Sequence, residues 1–240
     1  MSRIKVIEGR LKASRIVAAL PDEEIGRGVM AGDVHVIKNV FPADEARRLR
    51  DLIFDWGQSQ SSSAQKDFYS LKTQNHFCTE RGVSGIQKTL HYYRSHNLND
   101  YAAIEPIELR DLLIKFCAPL KDFYNAVTGN ESDFTGEKIL HPQIIHYPAG
   151  GGFFARHTHA LEPQRIGLIA SLSQRGMDFE RGGTGFDVDG EITDIETHHD
   201  AGDIGLFRFD LPHWVSPIDI EEAMDEKSPR GRWTLVLPYY

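Results

Sequence analysis

His157 and His159 stand two residues apart in Phe-Ala-Arg-His-Thr-His, and a third histidine, His213, follows much later in Leu-Pro-His-Trp-Val. On a strand, residues i and i+2 point to one face, so both imidazoles of the pair could reach one ion while Thr158 turns away. His213 lies on a later apolar run that a sheet could bring opposite them. Three imidazoles on one face leave the other positions of a six-coordinate ion open to exchangeable ligands. Imidazole suits iron, zinc, copper and nickel, so residue type alone does not choose the metal. A late arginine, Arg232, and Thr234 two residues on lie in the last such run.

Those residues need a scaffold of strands, and the second half of the chain reads as one. After Gly136, short runs rich in β-branched and aromatic residues alternate with Gly, Pro and Asp. The runs are 139–147, 152–157, 166–172, 185–188, 204–209, 214–218 and 233–239. Short strands at this spacing predict an antiparallel sandwich or barrel. The first half reads differently. Residues 33–38 alternate as a strand. A helix opens at Phe41-Pro-Ala-Asp-Glu-Ala and runs to about Trp56, with proline and acidic residues suiting its first turn. Residues 58–65 are rich in serine and glutamine and predict an exposed loop. Residues 66–101 carry aromatics, among them Phe68, Tyr69, Tyr92 and Tyr93, without a firm period. A second helix spans about 107–127 and stops near Gly129. Its Leu109, Leu112, Leu113, Phe116, Leu120 and Phe123 form one apolar stripe. The first thirty residues have no clear period, and no internal repeat is present.

Composition narrows the class. With 240 residues, 40% hydrophobic and 26% charged, the chain suits one globular domain. The apolar runs fall far short of the ~20 residues that span a bilayer, so no membrane partner is expected. Met1-Ser-Arg-Ile-Lys-Val-Ile-Glu-Gly-Arg has no signal-type apolar core, and a cytoplasmic protein is expected. Cys78 and Cys117 are expected as buried free thiols. The net charge of −8, without a long basic run, speaks against nucleic acid.

The segment from Tyr147 to Pro238 resembles the Fe(II)/2-oxoglutarate-dependent oxygenases, and most of all the branch with the prolyl-hydroxylase-like enzymes and the small amino-acid hydroxylases and halogenases. The likeness rests on Tyr147-Pro-x-Gly-Gly-x-Phe, on His157-x-His159 at the family's His-x-Asp/Glu position, and on Gly182-Gly183. It continues through Ala201-Gly202-Asp203, the distal His213 and Arg232-x-Thr234. It implies a mainly β fold with N-terminal helices, a double-stranded β-helix or jelly roll of cupin type. One domain over 1–240 is expected, with 1–136 as helical support and lid and 137–240 as the jelly-roll core. The implied cofactors are Fe(II) and 2-oxoglutarate, and the implied partners are O2 and a small-molecule substrate whose unactivated C–H bond is hydroxylated.

The resemblance also assigns residues. His157, His159 and His213 would hold the metal. His159 departs from the family, which has a carboxylate there or, in halogenases, Ala or Gly. As a ligand it makes a three-histidine site. Glu162, Asp187 and Asp189 are alternative carboxylates. Arg232, whose planar fork binds a carboxylate bidentately, would clamp the far end of 2-oxoglutarate beside Thr234 and Tyr147. Arg165 and Arg156 are rival clamps, and Tyr147 could equally be a core residue. His76, Arg81, His91, Arg94 and Arg165 are candidate substrate contacts, and His198-His199 reads as a solvated pair. Two other readings stay open: a three-histidine dioxygenase that uses no 2-oxoglutarate, and a non-catalytic binding protein on the same fold.

Overall fold

The computed structural model describes residues 3–60, 75–83, 89–136 and 139–239. The expected serine- and glutamine-rich loop lies outside the described residues from position 61 onward, as do Phe68 and Tyr69. Thirteen strands join one sheet. In the first half these are β1 (Ile4–Lys12), β2 (Arg15–Ala18), β3 (Val34–Lys38), β4 (His76–Val83) and β5 (Leu90–Asn97). The second half supplies β6 (Gln143–Pro148), β7 (Phe153–His157), β8 (Ile166–Ser171), β9 (Gly183–Val188) and β10 (Glu191–Asp194). It ends with β11 (Ile204–Arg208), β12 (His213–Ser216) and β13 (Gly231–Val236). Three α-helices, α1 (Asp22–Met30), α2 (Ala43–Ser59) and α3 (Ile107–Thr128), and one 3-10 turn at Tyr101–Ala103 complete the described elements.

The sheet has two halves. One runs β6-β13-β8-β11-β3-β1-β2 and the other β7-β12-β9-β10. β5 straddles them: Arg94–Asn97 pair with β6, while His91 and Tyr92 pair with β7. β4 lies along β5. The halves fold over one another, because Phe186 and Val188 of β9 pack with Ile169 of β8, Phe207 of β11 and Val34 and Val36 of β3. This is a double-stranded β-helix with apolar residues inside.

The outer face of the larger half carries the helices. Leu109, Leu113, Phe116 and Leu120 of α3 are fully buried, as are Ala46, Leu49 and Ile53 of α2. Phe116 stacks on Phe41 at 4.1 Å between ring centroids. Full burial of such side chains stabilises by roughly 1.5–3 kcal/mol each. α3 ends where Gly129 takes a left-handed φ of 71°, as the sequence predicts. Both cysteines are buried and free. Among the described residues no helix is long and apolar enough to cross a membrane.

Residues 1–136, expected as helical support and lid with one strand at 33–38, hold more strand than that. That half contributes five strands. β1 and β3 extend the larger half beyond β11, and β5 enters the jelly roll itself.

Candidate metal centre

β7 and β12 are antiparallel neighbours, and their register places His157 directly opposite His213. Each ring is anchored through Nδ1: His157 to the Ala155 carbonyl at 2.9 Å and His213 to the Leu211 carbonyl at 2.7 Å. A neutral imidazole that donates from Nδ1 leaves a lone pair on Nε2, the form a metal requires. His159, just past the end of β7, turns back so that its Nε2 lies 3.1 Å from that of His157. Its ring stacks on Phe209 at 4.1 Å, and Phe154 stacks on His157 at the same separation. Phe207 closes the inner side, 4.8 Å from the His213 ring.

Burial among these rings lowers the basicity of all three histidines. His159 is pushed down to about 4, with the neighbouring His157 adding to the effect. His213 falls well below the ordinary value and His157 also falls. All three are therefore neutral near pH 7. Their ligand atoms lie within 4.8 Å of one another. Two imidazole nitrogens held at ~2.0–2.1 Å by one ion stand about 3 Å apart, and the His157–His159 separation of 3.1 Å matches that. The donor set fits a divalent transition metal. The alternative carboxylates are committed elsewhere. Asp187 pairs with Arg156, Asp189 with Arg3, and the exposed Glu162 with Arg165.

Further inside the roll, Arg232 of β13 stands opposite Tyr147 of β6, with its guanidinium 5.8 Å from the Tyr147 ring. Thr234 follows on the same face, buried. Arg232 is 2% exposed, yet it is not an open cation. Its Nε donates to Glu196 Oε1 at 2.5 Å, and the Glu196 side chain is 1% exposed. The Thr184 amide donates to the same oxygen at 2.8 Å. Burial pushes the Glu196 carboxyl up. The Arg232 charge, with smaller contributions from His199 and these hydrogen bonds, outweighs that and holds it below its ordinary value. Arg232 Nη2 and Thr184 Oγ1 are buried without a partner. An unpartnered guanidinium N–H fits the carboxylate of a keto acid.

Glu196 has room because of Gly183. A Cβ there would come within 2.2 Å of Glu196 Cγ, and the φ of 124° favours glycine in any case. Gly183 thus makes room for an acid that the sequence did not reveal. His199 is a correction to the solvated pair: His198 is exposed, but His199 is wholly buried beside Glu196.

The candidate substrate contacts divide by strand alternation. His91 lies on the site face of β5 with Tyr93, its ring 5.4 Å from Phe154. Arg94 does not face the site. It lies opposite His146, whose ring stacks on Trp233 on the helix side of the sheet. Arg81 also turns away, over the ring of Tyr92 at 5.3 Å. His76 is buried at the start of β4, at the far end of the β4–β5 pair from His91. Arg165 precedes β8 with a φ of 58° and pairs with Glu162, so it is not an inward clamp. Arg156, half exposed, points outward to Asp187.

No family model matches this sequence, and no curated protein matches it. Solved structures do. A prolyl-4-hydroxylase from Pseudomonas putida is 16% identical with a TM-score of 0.57, covering 90% of this chain and 96% of that one. A 2OG-Fe(II) oxygenase family oxidoreductase from Burkholderia pseudomallei is 13% identical with a TM-score of 0.52, covering 98% and 95%. EctD from S. alaskensis, with bound Fe, is 14% identical with a TM-score of 0.54, covering 97% and 83%. At these identities the likeness establishes the fold: the chain has the double-stranded β-helix of the prolyl hydroxylases and 2OG-Fe(II) oxygenases.

Proposed function

We propose that this chain is a non-haem Fe(II)/2-oxoglutarate-dependent oxygenase that hydroxylates an unactivated C–H bond of a small substrate, such as an amino acid or a derivative of one. The observation that carries the reading is the presence, in one jelly roll, of three convergent imidazoles and a buried guanidinium with an unpartnered Nη2. His157, His159 and His213 would hold iron, and Arg232, with Thr234 and Tyr147, would hold the far carboxylate of the keto acid. Iron and keto acid together would supply the power to activate O2. The chain's residues do the rest. The two backbone-anchored imidazoles keep their lone pairs aimed at one point. Phe154, Phe207 and Phe209 wall the centre with apolar rings and exclude water from it. His91 and Tyr93 lie beside Phe154, and a substrate there would be positioned by contact and hydrogen bonding.

The test is anaerobic addition of Fe(II), then 2-oxoglutarate, followed by visible absorption. A band that needs both components is expected. A chain that binds iron but develops no band, and does not convert 2-oxoglutarate under air, would end the proposal. A second reading, a three-histidine dioxygenase that uses no keto acid, is favoured by one observation: Arg232 already has a carboxylate partner in Glu196. Oxygen uptake by the iron-loaded protein without 2-oxoglutarate would select it.

A further inference from the structure

Glu196 and Arg232 form an ion pair sealed inside the jelly roll, with 1% and 2% of their side chains exposed. Glu196 takes only the Nε edge of the guanidinium. Nη2 is left without a partner, as is Thr184 Oγ1, the hydroxyl of the residue whose amide holds the same Glu196 oxygen. Two unmet hydrogen-bonding atoms beside a neutralised cation describe a half-filled carboxylate cradle. One carboxylate is already present, supplied by the chain. Burying an arginine without a counter-charge costs several kcal/mol, so Glu196 stabilises the cradle when no other acid is there. The same charge opposes the arrival of a second carboxylate in a medium of low dielectric, where like charges interact strongly.

We propose that Glu196 is an internal stand-in for the far carboxylate of the keto acid, and that its charge sets how tightly, and how selectively, this pocket takes a dicarboxylic 2-oxo acid. The inference rests on the keto-acid reading of the site. Arg232 meets the incoming carboxylate through Nη2, beside the Thr184 hydroxyl, while Glu196 keeps the Nε edge. Glu196 is a positioning and specificity-determining residue. It touches neither metal nor substrate.

The experiment is calorimetric titration of manganese(II)-loaded protein, without oxygen, with 2-oxoglutarate and with 2-oxobutanoate. The second acid has the same chelating end and no far carboxylate. Glu196→Gln keeps the acceptor oxygen for Arg232 and Thr184 but removes the charge. It should tighten 2-oxoglutarate binding by roughly tenfold or more, which is about 1.4 kcal/mol, and leave 2-oxobutanoate unchanged. Glu196→Asp keeps the charge and should retain the wild-type ratio between the two acids. Without keto acid, Glu196→Gln should melt at a lower temperature than wild type, and 2-oxoglutarate should restore it. A Glu196→Gln protein that binds 2-oxoglutarate no better than wild type, or that shifts for both acids alike, overturns the inference and leaves the keto-acid reading intact. Wild-type protein that binds manganese but neither acid overturns both. If Glu196→Gln does not fold, the double change Glu196→Gln with Arg232→Gln removes both buried charges. It should fold and bind the two acids with equal affinity, and a retained preference for 2-oxoglutarate would again overturn the inference.

Discussion

His157 and His213 face each other across one antiparallel strand pair, and each donates its Nδ1 proton to the carbonyl two residues before it, Ala155 at 2.9 Å and Leu211 at 2.7 Å. The same local geometry on two strands orients both Nε2 lone pairs without help from a distant partner. Single changes of His157 or His213 to alanine should therefore weaken iron or zinc binding by roughly a hundredfold or more, about 2.7 kcal/mol, with little loss of β structure. Metal titration alongside circular dichroism checks this. Near-wild-type metal affinity in either variant would relocate the site.

His159 is held differently, by its stack on Phe209 rather than by a strand. If it ligates the metal, His159→Asp should keep iron binding, since a carboxylate is an equally good ligand and lowers the net charge of the centre. His159→Gly should weaken it, and added chloride should recover part of the loss. Equal iron affinity for His159→Gly and wild type, with no halide effect, would remove His159 from the ligand set.

Replacing Arg232 by Lys keeps the charge but loses the planar fork that serves Glu196 on one edge and leaves Nη2 free on another. The dissociation constant for 2-oxoglutarate should rise roughly tenfold or more, with metal affinity unchanged. An unchanged constant would mean that the keto acid is held elsewhere.

The fold should weaken in acid through buried histidines outside the metal centre as well as those within it. Burial holds His96 neutral down to about 3 and pushes His146, beside Arg94 and stacked on Trp233 at 3.9 Å, well below its ordinary value. Unfolded, both accept a proton near 6.5. Below that pH the unfolded state binds more protons, so stability is complete above about 6.5 and falls steadily toward about 3. The slope is about 1.4 kcal/mol per pH unit for each such histidine. Melting temperatures between pH 7.5 and 4.5 test this. His146→Phe, which keeps the stack on Trp233, should flatten the decline. An equally steep decline would place the acid-sensitive group elsewhere.

Much of the jelly roll was legible because its strands carry one simple pattern each. The runs 152–157, 166–172 and 204–209 became β7, β8 and β11 within a residue or two. The histidine triad was readable from i, i+2 spacing, because strand geometry is local. β5 was not. Its Leu-His-Tyr-Tyr-Arg-Ser-His-Asn is buried on both faces, with polar groups on each, so no period of two survives. β1 hid for the opposite reason, since charged residues dominate its exposed positions. Glu196 and His199 could not be read from sequence at all. The partners of Glu196, Arg232 and Thr184, are brought to it only by the folding of the sheet, and an acid in a turn between two strands carries no signature of burial.

β5 laces the two halves of the roll together, because one of its edges binds β6 and β7 in succession across the glycine turn at 149–152. A fragment beginning at residue 139 would keep all three histidines, Arg232 and Glu196 in its sequence. It would also present the edges of β6 and β7 bare, with the polar backbone groups of both strands open to pairing with other chains. Such a fragment also lacks α2, α3 and β3, which cover its apolar outer face and the edge of β11, and it should aggregate rather than bind metal. Assembly of the centre thus depends on elements that supply none of its ligands, β5 among them, and a truncation that spares every ligand would still destroy it.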